Sequence, residues 1–245
     1  SFLERRKSNC SFVSSVSKET KNYSAIAEKL VVYLNENSLE NIAEYAERLR
    51  FIMSCYQCAV YEIETKFRVL NEQFSLEYER NPIENIKTRI KSPESIIEKL
   101  ERRNLPLTLS SIENEIHDIA GVRVICSFID DIYTLADCLL SQDDITLITR
   151  KDYIKNPKEN GYRSLHMIVA IPIFLAREKR MMKVEIQLRT IAMDCWASLE
   201  HQLRYKKETT FTEEMAEELL TCAELSAELD NKMDILRKKV LDYSN

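Results

Sequence analysis

The sequence predicts an α/β protein of the α+β kind, with a mixed β-sheet flanked by helices, and three observations lead to this prediction. Strand-like and helix-like periodicities alternate between residues 122 and 205. Two strand-like segments, residues 165–173 and 182–188, are joined by a hairpin-like connection at 176–180, so the sheet should contain antiparallel as well as parallel pairs. Apolar residues three and four positions apart dominate the chain on both sides of this centre.

Composition sets limits on the class of protein. A chain of 245 residues with 44% hydrophobic content can bury a core, and no apolar run approaches the roughly 20 residues that cross a bilayer. Without a segment typical of a secretory signal, and with an odd count of 7 cysteines, we expect a cytoplasmic protein with reduced thiols and no membrane partner. The net charge of −5 argues against general coating of nucleic acid.

The first 80 residues predict a helical extension. Residues 1–22 are polar and lack periodicity, which is typical of a loosely ordered leader. Two or three helices should follow, because apolar stripes recur at helical spacing. The stripes consist of Ile26, Leu30 and Leu34; Ile42, Tyr45, Leu49 and Ile52; and Ala59, Ile63, Phe67, Leu70 and Phe74.

A basic region follows. An extended segment at 86–91 precedes a helix over 94–103, for which Ser92 is the N-cap and Pro93 the first helical residue, and Pro106 closes the helix. Positive side chains are concentrated here, which is compatible with an anion site in an acidic protein. They are Lys87, Arg89, Lys91, Lys99, Arg102 and Arg103.

The remaining elements alternate in type. Strands are predicted over 122–128, 145–150, 165–173 and 182–188, and helices over 131–140, 191–205 and 212–243. We therefore divide the chain into residues 1–80, a core domain over 81–207, and a C-terminal helix over 208–245. The apolar stripe of this last helix should pack on the body or on another subunit. It contains Met215, Leu219, Cys222, Leu225, Leu229, Met233, Leu236 and Val240.

Glycine is scarce, and this excludes two phosphate-binding motifs. Gly121 and Gly161 are the only glycines in the sequence, so neither the P-loop nor the Gly-rich turn of dinucleotide-binding folds is present. Any phosphate must be held by side chains.

Two carboxylates are candidates for metal binding. Asp118 precedes the strand at 122, and Glu185 shares one face of its strand with Gln187 and Arg189 while apolar residues occupy the other face. Two carboxylates brought together on a sheet suit Mg²⁺, which completes its shell with substrate phosphates. The alternative is that Asp118 is a turn residue and Glu185 an exposed residue paired with Lys183 or Arg123.

Four further residues are suited to nucleotide binding. Tyr162 can offer a flat ring to a base, and His166 can donate to a phosphate. Arg89 and Arg123 have guanidinium groups that stack on bases and fork onto phosphates. Each has a plain structural alternative: a loop anchor for Tyr162, a structural role for His166, and surface ion pairs for the arginines.

Ordered motifs give the sequence a resemblance to a known family. It resembles the synthetase domain of the RelA/SpoT family over roughly residues 83–240, and among its members the stand-alone small alarmone synthetases. The motifs are His117-Asp-Ile-Ala-Gly-Val-Arg123, Lys151-Asp-Tyr-Ile, Gly161-Tyr-Arg-Ser-Leu-His166, Val184-Glu-Ile-Gln-Leu-Arg-Thr-Ile-Ala-Met-Asp-Cys-Trp196 and Leu199-Glu-His-Gln-Leu-Arg-Tyr-Lys206.

The resemblance implies a nucleotidyltransferase-like fold and a reaction. The β,γ-pyrophosphate of ATP would pass to the ribose 3′ hydroxyl of GDP or GTP with release of AMP, in the presence of Mg²⁺, and relatives form tetramers through terminal helices. Asp118 would bind the metal, and Glu185 would help to hold it and act as base. The resemblance further implies ATP-binding roles for Arg89, Lys91, Ser95, Lys99, Arg102 and Arg123, and acceptor-binding roles for Tyr162, His166, Lys151, Lys158 and Gln187.

Two residues depart from the family pattern, and two other functions stay open. Thr88 stands where relatives often have glycine, and Asp194 stands at an acceptor-site position where asparagine is expected, from which a carboxylate could accept from guanine N1 and N2 or alter acceptor preference. Some small relatives are toxins that pyrophosphorylate the 3′ end of tRNA, or make adenosine alarmones. The function from another class is an inactive nucleotide sensor.

Overall fold

The structure is a computed structural model that describes residues 39–78, 80–205 and 211–243. The predicted leader and the first apolar stripe, Ile26 to Leu34, lie outside the described residues. In chain order the elements are α1 (Leu39–Tyr78), β1 (Ile83–Ile90), α2 (Pro93–Arg102), α3 (Leu109–Glu115), β2 (Ala120–Cys126), α4 (Ile129–Leu140), β3 (Thr146–Asp152), β4 (Leu165–Phe174), β5 (Lys179–Thr190), α5 (Ile191–Tyr205) and α6 (Glu213–Tyr243).

Helix α1 is one continuous element of 40 residues. The second and third stripes of the sequence both lie on it, because no proline or glycine interrupts residues 39–78. Its buried side chains recur every three or four residues, including Leu49, Tyr56, Ile63 and Phe67. The periodicity therefore identified the buried face of the helix without fixing the number of helices.

The described residues form two compact units. One takes the chain up to Gln57 and Ile90–Ile119, and the other takes Cys58–Arg89 and the chain from Ala120 onward. The first unit contains α2, whose N-cap is Ser92 as predicted, with the Ser92 hydroxyl accepting from the Ser95 amide. It also contains the short helix α3, capped by Thr108, which the sequence analysis did not predict.

The second unit contains the sheet, whose strand order is β1-β2-β5-β4-β3. Strand β2 runs parallel to β5, while β4 runs antiparallel to both β5 and β3. The predicted mixed sheet flanked by helices is confirmed. The parallel pair places Gly121 opposite Glu185 and Arg123 opposite Gln187, so polar positions of two strands lie side by side.

The two faces of β5 differ as the alternation predicted. Val184, Ile186 and Leu188 are fully buried, and helix α4 packs against β5 and β2. Glu185 and Gln187 point to the other face and are partly exposed. One face of the strand thus belongs to the core and the other is available for chemistry.

Helix α6 is attached to the second unit through a face that differs from the predicted stripe. Ala223 and Asp230 are buried, and Arg237 reaches Asp130 at 2.7 Å and lies 4.6 Å from the centre of the Phe128 ring. Most of the predicted stripe is exposed instead. The body therefore does not cover these residues, and packing on another subunit stays a prediction for them. They are Met215, Leu225, Leu229, Met233, Leu236 and Val240.

Two results bear on the wider organisation of the chain. No helix within the described ranges is long and apolar enough to span a membrane. The predicted division into residues 1–80, 81–207 and 208–245 stays a prediction.

Candidate active site

Strand β5 carries a row of three polar side chains linked by hydrogen bonds. Gln187 Nε2 donates to Glu185 Oε2 over 3.1 Å, and Arg189 Nη2 donates to Gln187 Oε1 over 3.1 Å. Such a row exists because alternate residues of a strand share one face. It fixes the orientation of the Glu185 carboxylate, and it links the surroundings of Glu185 with those of Arg189.

A pocket opens at the Glu185 end of this row. The two arginines predicted to bind ATP both line it: Arg89 Nη2 donates to Glu185 Oε2 at 3.3 Å, and Arg123 Nε donates to Gln187 Oε1 at 3.4 Å. The other lining residues are Lys87, Thr88, Gly121 and Val122. Flat cations beside a carboxylate suit a ligand that has both rings and phosphates.

The predicted acceptor residues Tyr162 and His166 meet on the same side of the sheet. The Tyr162 hydroxyl accepts from Arg189 Nη2 at 2.6 Å and lies 2.7 Å from His166 Nε2. On its other side, His166 Nδ1 lies 3.9 Å from Glu185 Oε1. Glu185 therefore lies between the arginine predicted to bind ATP and the histidine predicted to bind the acceptor.

The protonation state of His166 follows from its surroundings. Burial, and then the positive charges of Arg189, Lys158, Lys151 and Arg123, lower the pKa of His166 to about 3. The imidazole is therefore neutral at physiological pH.

The Tyr162 hydroxyl, which accepts from Arg189 Nη2, is also hydrogen-bonded to His166 Nε2, and the tautomer of the imidazole decides which of these two atoms donates. The other ring nitrogen, Nδ1, lies on the side of Glu185.

Two predicted lysines contribute to the positive charge near Tyr162. Lys158 Nζ lies 4.8 Å from the centre of the Tyr162 ring and 4.7 Å from that of Tyr153, and Lys151 pairs with His166 across β3 and β4. The loop after β3 is held by Asp152, whose Oδ1 accepts from the amides of residues 154 and 155. This unit is thus locally electropositive, although the whole chain is acidic.

Asp194 neutralises part of that charge. Its carboxylate, which is nearly buried, pairs with Lys87 at 2.8 Å, Arg189 at 3.2 Å and Arg123 at 3.3 Å. Burial raises the pKa of Asp194, but the hydrogen bond from Lys87 and the surrounding cations outweigh it and lower the pKa overall. The neutral asparagine expected at this position could not balance three cations. Contact of Asp194 with guanine stays a prediction.

Asp118, the predicted metal ligand, lies in the first unit within a cluster of its own. Its Oδ2 contacts Lys99 at 2.7 Å and Lys91 at 3.0 Å. Burial raises the pKa of Asp118, but the hydrogen bonds and charges of the two lysines outweigh burial and lower the pKa to about 2. The carboxylate is therefore ionised at neutral pH.

The other oxygen of this carboxylate, Oδ1, is buried and lacks a hydrogen-bond partner among the described residues. One ionised carboxylate oxygen without a partner fits a single coordination position of Mg²⁺, which binds proteins through one or two carboxylates and takes its other ligands from waters and substrate phosphates.

The last two predicted ATP residues lie on α2. Ser95 is in the first turn, where its hydroxyl accepts from Ser92 Oγ at 3.1 Å, and Arg102 is exposed in the last turn. Among the described residues, no group of three or more His, Cys, Asp or Glu side chains is arranged to hold a metal by itself.

The structure adds three residues that were not predicted to belong to the site. Arg189 contacts Tyr162, Gln187 and Asp194, Lys87 lines the pocket, and Tyr153 packs edge-on against His166 with ring centres 5.3 Å apart. The alternation on β5 had placed Arg189 on the correct face. Its contacts depend on the loop before β4 and on α5, which the pattern of a single strand does not reveal.

The fold and the site together define an α/β nucleotide-binding enzyme domain, in which flat cations, aromatic rings and a carboxylate share one face of the sheet. A sequence profile for the region found in RelA / SpoT proteins matches residues 88–210. The chain belongs to the RelA/SpoT family.

Individual relatives cover most of the chain. The GTP pyrophosphokinase YwaC of Bacillus subtilis is 41% identical over 207 residues, which are 84% of this chain and 99% of that protein. The crystal structure of small alarmone synthetase 1 from Bacillus subtilis bound to its product pppGpp has a TM-score of 0.72 and 34% identity, and covers 79% of this chain and 98% of that one. The same synthetase bound to AMPCPP has a TM-score of 0.68 and 33% identity, over 80% and 99% of the two chains.

Proposed function

We propose that this protein is a GTP pyrophosphokinase, which transfers the β,γ-pyrophosphate of ATP to the ribose 3′ hydroxyl of GDP or GTP and so makes (p)ppGpp and AMP. The observation that carries the proposal is the place of Glu185, 3.3 Å from Arg89 and 3.9 Å from His166. A base for this reaction has to lie between the donor and the acceptor. The names and bound nucleotides of the relatives support the same reaction.

The chemistry that we assign to Glu185 is proton removal. The 3′ oxygen of the acceptor forms a bond to the β-phosphorus of ATP, while the bond from that phosphorus to the oxygen bridging the α- and β-phosphates breaks and AMP leaves. The proton of the 3′ hydroxyl goes to the Glu185 carboxylate, which Gln187 and Arg89 orient by hydrogen bonds. Reactions of this kind depend mainly on positioning and on neutralising charge.

We assign the nucleotide contacts by type of side chain. Arg89 and Arg123 hold the adenine between their guanidinium planes, and Tyr162 stacks on guanine. The cations of the first unit and the N-terminus of α2 meet the phosphates of ATP, which involves Lys91, Ser95, Lys99 and Arg102. The other acceptor contacts that we propose are from Lys151, Lys158, His166, Gln187 and Asp194.

Mg²⁺ is the cofactor that we propose, held by Asp118 and Glu185. Its support is the unpaired Oδ1 of the ionised Asp118. When bound, the metal would neutralise charge on the transferred pyrophosphate. The lysines beside Asp118 would bind the phosphates that share the metal.

Assembly and location complete the proposal. A homotetramer is supported by the exposed apolar row of α6, which includes Leu225, Leu229 and Met233. Work in the cytoplasm is supported by the nucleotide substrates and by the free cysteines of the described residues.

The test is transfer of label. Purified protein, Mg²⁺ and ATP labelled on the γ-phosphate are incubated with GDP, GTP, ATP or bulk tRNA as separate acceptors, and products and AMP are quantified. Label on guanine nucleotides with equal release of AMP supports the proposal, and Glu185→Gln serves as the matched control. Transfer of label to tRNA alone, or to the ribose 3′ position of ATP alone, refutes the proposal in favour of another acceptor. Transfer of label to none of the acceptors indicates a sensor.

A further inference from the structure

Helix α6 packs against three consecutive residues of the loop that carries Tyr162. Gly161 has φ +84°, and a Cβ built on it would lie 2.5 Å from Ala223 Cβ. Tyr162 packs against the cluster formed by Trp196, Ala197 and Ala223. Arg163 Nη1 then donates to Asp230 Oδ2 over 3.0 Å.

The contact at Gly161 is a close approach between the backbone of the loop and the side chains of Ala223 and Leu220 on α6. Glycine is required there for the positive φ, and also because a side chain would overlap Ala223. The same added Cβ would lie 3.1 Å from Leu220 Cδ1. The small side chain of Ala223 is therefore as necessary as the glycine. The space between α6 and the loop therefore does not accommodate one additional methyl group at Gly161.

The contact at Arg163 is a buried ion pair. Only 10% of the Arg163 side chain and 7% of the Asp230 side chain are exposed, and Asp230 also accepts from the Thr190 side chain at the end of β5. Burial raises the pKa of Asp230 despite the favourable charge of Arg163. A buried charge that loses its partner is strongly destabilising, so this pair holds the loop firmly against α6.

Between these two contacts lies Tyr162, whose ring we propose to stack on guanine. The position of Tyr162 decides whether its hydroxyl reaches Arg189 at 2.6 Å and His166 at 2.7 Å. We propose that Ala223 and Asp230 of α6 are positioning residues for the acceptor nucleotide, which they influence through Gly161 and Arg163. This inference rests on the proposed function, because it assumes that Tyr162 meets the acceptor.

The proposal predicts a selective change in acceptor binding. Asp230→Ala frees Arg163 and should raise KM for GDP about 10-fold to 100-fold, while KM for ATP changes less than about 3-fold. Asp230→Asn keeps an oxygen that can accept from Arg163 and should restore most of the acceptor affinity.

Asp234→Ala is the matched control. Asp234 is also paired on α6, but with Arg237 and Lys238 of the same helix. This variant should leave both KM values near those of the wild type.

One measurement and one further variant keep the test decisive. Trp196 is the only tryptophan in the sequence and donates to Leu219 of α6, so its emission reports whether the helix still lies on the loop. If Asp230→Ala does not fold, Ala223→Val crowds Gly161 from the same helix and should give the same selective rise in KM for GDP.

Calorimetric titration with GDP alone separates this inference from the proposed function. Weaker GDP binding by the variants supports the inference. Unchanged GDP binding, an equal rise in both KM values, a failure of Asp230→Asn to restore affinity, or the same effect from Asp234→Ala would overturn it. Absence of pyrophosphate transfer by the wild-type protein would refute the proposed function alone.

Discussion

Gly121 is predicted to be necessary for the position of Arg89 in the pocket that we propose for the adenine of ATP. A Cβ added at Gly121 would lie 3.0 Å from Arg89 Nε and 3.1 Å from Arg89 Cγ, which is closer than ordinary van der Waals contact. Gly121→Ala therefore has to displace the arginine by a few tenths of an ångström. The hydrogen bond from Arg89 to Glu185, already 3.3 Å long, would not survive that displacement.

The structure sets the size of the expected effect. The Arg89 side chain is 55% exposed, so its ion pair with Glu185 contributes at most about 1 kcal/mol to stability and the variant should still fold. A guanidinium group stacked on an aromatic ring contributes about 0.5 to 2 kcal/mol. Loss of that contact with adenine corresponds to a rise in KM for ATP of about 2-fold to 30-fold.

The assay is a double-mutant cycle. Release of AMP is followed at varied ATP with saturating GDP for the wild type, Gly121→Ala, Arg89→Ala and the double variant. In the Arg89→Ala background the glycine substitution has nothing to displace and should leave KM for ATP unchanged. The reasoning fails if Gly121→Ala leaves KM for ATP at the wild-type value, or if it raises KM for ATP even when Arg89 is absent.

Three further predictions address the carboxylates and the histidine. Glu185→Gln should lower kcat by about 10²-fold to 10⁴-fold with nucleotide dissociation constants within a few-fold, and a normal kcat would remove its role as base. Asp118→Asn should raise the Mg²⁺ concentration needed for half-maximal activity, measured by metal titration; an unchanged titration would exclude Asp118 as ligand.

The pKa of His166 lies near 3 in the folded protein and near 6.5 when unfolded, so the unfolded chain binds the extra proton between these values. The free energy of unfolding should therefore fall by about 2 kcal/mol from pH 7 to pH 5, and His166→Gln should remove that part of the slope in urea unfolding.

Local sequence patterns were sufficient to predict those features of the fold that depend on a single helix or strand. The separation of Glu185 from Ile186 on β5 follows from the period of two, and the start of α2 follows from Ser92 and Pro93. Helix α3 was missed because its 7 residues span fewer than two full turns, and a pattern that short is not distinctive.

Contacts that depend on residues far apart in the sequence could not be predicted in this way. The apolar stripe on α6 predicted that Leu225 and Leu229 face the body or another subunit, and the residues that the structure buries against the body are Ala223 and Asp230 instead. The burial of Asp230 depends on an arginine 67 positions earlier, and a carboxylate is ordinarily counted as a surface residue. Asp194 is similar, because its partner Lys87 lies 107 positions away.

The cations around Glu185 explain how a protein with a negative net charge could bind polyanions. Arg89, Arg123 and Arg189 lie on one face of the sheet of a chain whose net charge is −5. Burial, and then the charges of Arg189, Lys158, Lys151 and Arg123, lower the pKa of His166. A neutral imidazole adds no further positive charge beside Glu185. Under the proposed function, the cations attract the phosphates of two nucleotides, while the Glu185 carboxylate accepts the proton of the 3′ hydroxyl.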